Sequence, residues 1–337
     1  EMLLILKYQI SISLLNSYPN KKKKLSFNDL NLKIIGDDKL IFRLENIFFS
    51  NFGYKKNSIE GKVFGKKFKA ELGDNLESLK VKLLNSGINI DLNLNKKHRN
   101  GTVKSKVLNT NLKFDFEYDN EKLKIFNSYF RGKNFSFNND ASITFTPFLD
   151  IKTNFELEEF NNEILKKINF TKIMELKNTI KKINSKNIII YKPKNFSKGF
   201  IDELNLKVDL VYGRLSYKKE FLINKSLIKC EGDLNILKEY PLLYFDCSTL
   251  IQDKKKFLKK FSINIKSSND ILELKAKENL NKLNKKIKFD RVSLNNKKLP
   301  KEDLIYLKNS FENTLFNKSF LEIFEIKKIK NYILEII

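Results

Sequence analysis

The sequence predicts a mainly β protein of the α+β kind: a long, curled antiparallel sheet of meander strands, broken by a mid-chain helical pair and followed by two C-terminal helices. Three observations predict it. Apolar residues alternate at period two in segment after segment, clusters of Asn, Asp and Gly separate those segments, and only two stretches switch to helical spacing.

Residues 1–155 read as a first β-meander. Leu4 to Leu15 forms an opening strand, followed by Leu30, Leu32 and Ile34, then Leu40, Phe42 and Leu44, then Val63, Phe68 and Leu72, with Gly61 and Gly65 as punctuation. The alternation is clearest in Leu79, Val81 and Leu83. It continues after Asn85-Ser86-Gly87 in Ile88, Ile90, Leu92 and Leu94, and then in Leu112, Phe114, Phe116 and Tyr118. Leu123 and Ile125, Phe135 and Phe137, and Ile143 and Phe145 carry it to Pro147.

Residues 156–186 read as a helical insertion. Asn161 and Asn162 offer an N-cap ahead of Glu163, Ile164, Leu165 and Ile168, and Ile173, Leu176, Ile180 and Ile183 share one helix face. Residues 187–299 return to period two as a second meander. Its strands run through Ile188 and Ile190, Leu204 to Leu210, Leu215 and Tyr217 after a Gly213 turn, Leu227 to Leu237, Leu242 to Leu250, Phe261 to Ile265, Ile271 to Leu274, and Ile287 to Leu294. Residues 300–337 form the helical pair. Pro300, Glu302 and Asp303 start a helix carrying Leu304, Leu307, Phe311 and Leu315; Ser319 and Glu322 make a capping box for the next, which turns Phe320, Ile323, Phe324 and Ile333 inward.

The net charge of +25 comes from 65 basic and 40 acidic residues, and all but five of the basic residues are lysine. Abundant Lys, Asn, Ile and Phe beside only three alanines is the signature of an AT-rich coding sequence, which lowers the weight of the charge. Nucleic-acid binders favour the bidentate fork of Arg, so a lysine excess spread over every segment reads first as a solvated face. Such a face also suits anionic headgroups, at about 1 kcal/mol per nearby lysine. No run of 18 apolar residues is present. The opening Glu1-Met2-Leu3-Leu4-Ile5-Leu6, without a leading Met, predicts a fragment whose signal or membrane anchor lies upstream, beside the plainer reading of a first strand.

Catalytic chemistry is not expected. His98 is the sole histidine and lies in Lys96-Lys97-His98-Arg99-Asn100, a polar loop. Gly61-Lys62-Val63-Phe64-Gly65-Lys66-Lys67 is one residue short of a phosphate loop and has Lys67 where Ser or Thr must bind magnesium. Asp37-Asp38, Glu158-Glu159 and Glu302-Asp303 are isolated acidic pairs, and Lys21 to Lys24 and Lys254 to Lys256 read as inter-strand turns or edge protection. No cofactor or metal is implied. A hairpin about Lys238-Glu239 sets Cys230 opposite Cys247, which permits a disulfide and with it an oxidising compartment; two small buried thiols are the alternative.

Phe64-Gly65-Lys66-Lys67-Phe68-Lys69, Val107 to Phe116 (VLNTNLKFDF), Ala141 to Asp150 (ASITFTPFLD) and Tyr212-Gly213-Arg214-Leu215 resemble segments of the AsmA-like proteins of Gram-negative envelopes, in the form found in AT-rich marine alphaproteobacteria. The likeness rests on strand rhythm and short Gly turns and spans nearly the whole chain. It implies a periplasmic β-groove with an apolar inner face, anchored to the inner membrane by an N-terminal helix. Relatives such as TamB are linked to outer-membrane biogenesis and phospholipid movement. The anchor helix is missing from the sequence, and the family supplies no catalytic residue to carry over.

The expected function is therefore a non-enzymatic envelope protein that contacts or conveys phospholipid or another acyl lipid, with envelope proteins as further partners. Ile88, Ile90, Leu92, Phe114, Phe116, Phe135 and Phe137 are the expected groove lining. A scaffold with a filled core and a basic nucleic-acid-binding protein are the alternatives.

Overall fold

The computed structural model describes residues 24, 26–36, 39–54, 56–63, 65–73, 77–107, 110–132, 135–160, 180–181, 183–193, 200–238, 242–266, 271–281, 286–315 and 326–336. The expected strand Leu4 to Leu15, the helix at 161–168, Ile173 and Leu176, and the Ser319/Glu322 capping box with Phe320, Ile323 and Phe324 lie outside these residues. The chain divides into two compact units: residues up to 120 with 125–133, and 121–124 with 134–337.

The first unit is a meander. β1 (Ser26–Gly36), β2 (Lys39–Ser50), β3 (Ser58–Val63), β4 (Lys66–Leu72), β5 (Ser78–Leu83), β6 (Ile88–Asn95), β7 (Asn100–Val107) and β8 (Thr110–Tyr118) each pair antiparallel with the next. Asn85 and Gly87 take positive φ in the β5–β6 turn and Arg99 does so in the β6–β7 turn, the left-handed geometry that tight hairpins need. The turn placing exposed His98 is held by its backbone N–H donating to Asn95 Oδ1 at 3.2 Å. Beyond β8 lies β9 (Lys122–Arg131).

The second unit contains β10 (Phe135–Thr144), β11 (Leu149–Phe160), β12 (Ile183–Tyr191), β13 (Glu203–Val211), β14 (Arg214–Ile223), β15 (Ser226–Asn235), β16 (Leu242–Ile251), β17 (Leu272–Asn281), β18 (Lys286–Leu294) and the short β19 (Lys297–Lys298). Neighbours in this order pair antiparallel, with one exception. β11 and β12 run parallel, Leu149 opposite Ile183 through Leu157 opposite Tyr191. This departs from the expected all-antiparallel sheet and requires a crossover, because parallel neighbours cannot be joined by a tight turn. Residues 156–160 and 183–186, expected within the helical insertion, are strand; Ile180 is helical and buried.

Three helices are described in this unit: α1 (Lys254–Lys260), α2 (Lys301–Leu315) and α3 (Ile326–Ile336). α2 begins where Pro300, Glu302 and Asp303 predict it. α1 was expected to be a lysine turn, and Phe261 to Ile265 a strand. Instead Asp253 caps α1 by accepting from the Lys256 N–H at 2.9 Å, and Phe257 and Leu258 bury themselves with Phe261 just past its end. The apolar pair outweighs the lysines because burying two large side chains stabilises more than a solvated lysine run loses.

Candidate functional site

Strand alternation sorts each sheet into one apolar and one charged face. In the first unit the ladders align Phe68 with Leu83, Leu83 with Ile88, Val81 with Ile90, Leu79 with Leu92, Leu92 with Val103 and Val103 with Phe114. Five of the expected lining residues, Ile88, Ile90, Leu92, Phe114 and Phe116, therefore lie on one face. At β3–β4 that face is closed, with Val63, Phe68 and Ala70 buried against Leu44, Ile59 and Leu79. From β6 to β8 it is only half-buried at Ile88, Ile90, Leu92, Val103 and Phe114, and among the described residues of this unit no helix packs on it. Phe116, 9% exposed, is the exception, its ring tilted against those of Phe114 and Tyr118 at centroid distances of 6.3 and 6.1 Å and set over Gly101.

The reverse face is polar. Lys69 and Glu71 pair at 2.8 Å, and Asp115 accepts from Thr102 Oγ1 at 2.8 Å and Asn127 Nδ2 at 3.2 Å, hydrogen bonds that hold its carboxyl below the usual range. The sheet is thus an amphipathic ribbon in this unit.

Phe135 and Phe137 belong to the second unit, on β10. Their rings stand 5.2 Å apart, and Phe137 meets Phe155 of β11 edge-on at 5.4 Å. They form an aromatic cluster of that unit.

Over parts of β14–β18 the apolar face is covered, whereas β12 and most of β13 stay half-buried. Ile223 and Ile251 pack under Phe257, Leu258 and Phe261, with Ile329 and Ile333 of α3 beside them. Leu280 and Ile287 pack with Phe289 and with Phe311 of α2, and Phe311 meets Tyr332 of α3 edge-on at 5.7 Å. Ser310 and Thr314 donate to the Glu335 carboxylate, both at 2.9 Å, joining the two helices. Cys230 lies opposite Cys247 in the β15–β16 register, with Cα atoms 4.1 Å apart and the sulfurs bonded.

Sequence reasoning missed an ionisable set on this covered face. Glu278 is 6% exposed between Phe245 and Phe289, and burial pushes its carboxyl up to about 8. Burial, with Glu278 adding to it, pushes the Tyr217 phenol up to about 12 and also raises Tyr332; burial lowers the Lys219 ammonium. The signal was in the sequence: Glu278 takes the apolar phase of Leu274, Ala276 and Leu280, and Lys219 that of Leu215, Tyr217 and Phe221.

A cleft of about 690 Å³ across β13–β18 is lined by Lys207, Arg214, Lys218, Glu231 and Asp233 and reaches Tyr217 and Glu278. Arg214–Asp233 and Lys218–Glu231 ion pairs, both at 3.1 Å, neutralise much of it internally. Among the described residues no group of three or more His, Cys, Asp or Glu is placed to hold a metal ion, and no helix is long and apolar enough to cross a membrane. No protein-family model, curated protein or solved structure matches the chain.

Proposed function

We propose that this is a non-enzymatic, AsmA-like envelope protein that contacts or conveys phospholipid, or another acyl lipid, along the apolar face of β6–β8. One observation carries the reading: Ile88, Ile90, Leu92 and Phe114 share a half-exposed apolar face with charged residues confined to the other side. An acyl chain laid there leaves water at about 0.8 kcal/mol per buried methylene while its headgroup stays solvated. The Cys230–Cys247 bond fits an oxidising compartment, in keeping with a periplasmic location; attachment to the inner membrane and a part in outer-membrane biogenesis rest on the AsmA-like resemblance.

A second reading has its own support. The helices α1, α2 and α3 pack on the apolar face over parts of β14–β18, as a scaffold with a closed core requires. Denaturing extraction and mass spectrometry of protein purified gently from its own envelope distinguishes the two. Stoichiometric phospholipid supports the lipid reading; folded protein without lipid supports the scaffold.

A further inference from the structure

Lys219 takes the apolar phase of β14, and in register it stands between Leu206 of β13 and Cys230 of β15. It is half-buried, and among the described residues no carboxylate, carbonyl or hydroxyl pairs with its ammonium. The contact it has is the Phe221 ring, with Nζ 5.8 Å from the centroid. Among the described residues of β12–β17 one other charged side chain shares this phase, Glu278. That carboxyl lies three strands away, and burial, by raising it to about 8, keeps it largely protonated at neutral pH. A cation set among apolar side chains thus meets no anion of its own, and its desolvation goes unreturned.

The surface beside Lys219 is apolar in one direction. Leu206, Ile189 and Phe155 stand in line with it across β13, β12 and β11, all half-buried. On its other side Cys230 is buried and bonded to Cys247, and Phe221 joins the cluster under α1, which includes none of those three. Three strand spacings carry the row about 14 Å from the lysine. One leaflet of bilayer hydrocarbon is about 15 Å deep, so the row matches the length of an acyl tail.

We infer that Lys219 anchors a separate acyl-ligand site in the second unit, where a fatty-acid carboxylate meets its ammonium and the tail lies over Leu206, Ile189 and Phe155. A carboxylate suits a lone lysine: it brings one negative charge, where a phosphate monoester brings up to about two. A free fatty acid also has no further headgroup that must reach water. The site stands whether or not the β6–β8 face holds lipid.

The test is calorimetry on the full chain with dodecanoate, and with dodecylamine, which has the same tail and the opposite charge. Saturable one-to-one binding of dodecanoate is expected, with dodecylamine about tenfold weaker or more. Lys219→Met, which keeps the apolar stem, should weaken dodecanoate about tenfold or more, the loss expected for a hydrogen bond between charged groups. Lys207→Met, on the opposite face of β13, and Phe114→Asp, in the first unit, should leave it unchanged; all variants are matched by circular dichroism. Dodecanoate binding kept by Lys219→Met would assign the lysine a packing role with its ammonium in water. That result, equal binding of the two probes, loss of binding in Phe114→Asp, tighter binding of dodecyl phosphate, or no binding by the folded protein would each overturn the proposal.

Discussion

Gly101 of β7 and Phe116 of β8 face each other across the ladder, and a Cβ on Gly101 would stand 2.7 Å from Phe116 Cζ. Glycine is what lets the ring lie flat on the neighbouring strand. The same device recurs at Gly61 beneath Phe68 and at Gly232 beneath Tyr217, each an aromatic side chain covering backbone that has no side chain of its own.

Gly101→Val should therefore cost about 1–3 kcal/mol, the usual range for overpacking, because its Cβ alone meets both the Phe116 ring and the Asn93 carbonyl. Urea denaturation of the variant reads this directly. A variant as stable as the parent would show that the ring moves aside freely.

Phe114→Asp should lower the lipid recovered with the purified protein, while Lys113→Asp, on the opposite face, should leave it unchanged. The comparison is made on variants with matching circular dichroism. Equal lipid in both removes Phe114 from the binding face.

The Cys230–Cys247 bond closes a loop between residues 17 apart in sequence, for which loop-closure entropy gives about 3 kcal/mol. Reductant, or the Cys230→Ser/Cys247→Ser double variant, should lower the denaturation midpoint accordingly. Alkylation of the native protein should find no free thiol before reduction.

Glu278 gives stability a definite pH dependence. Its folded value is raised to about 8 against an ordinary value of 4.5, so between those limits the native state holds a proton that the unfolded chain has released. Stability should fall as pH rises from about 4.5 to about 8, by a few kcal/mol in order of magnitude, and level off above. Glu278→Gln should flatten that slope and stabilise the protein most at alkaline pH; an unchanged slope would assign the dependence to other groups.

The strands were legible wherever one face is wet and the other is not. β6 reads Ile, Asn, Ile, Asp, Leu, Asn, Leu, Asn, and its side chains alternate half-buried and exposed in step. α1 was hidden because its lysines dominate the composition, although Asp253 and the pair Phe257 and Leu258 already carried a cap and a buried face. The parallel step from β11 to β12 was illegible for a different reason: alternation reports which way side chains point, not which way the chain runs. Likewise the five residues grouped on β6 and β8 were readable from period and turn length, whereas the assignment of Phe135 and Phe137 to another unit depends on packing between distant segments.

From β3 to β8 every described ladder joins a strand to its neighbour in sequence. Such a stretch is a one-dimensional array, its stability a sum of nearest-neighbour contributions, and its contact order low. It can zip from any hairpin and fray from an end without dissolving the middle. Insertion or loss of a whole hairpin leaves every remaining side chain on its original face, whereas a single strand cannot be added between neighbours without reversing the direction of all that follow. Lengths of this ribbon that differ by two strands are the variations its architecture tolerates.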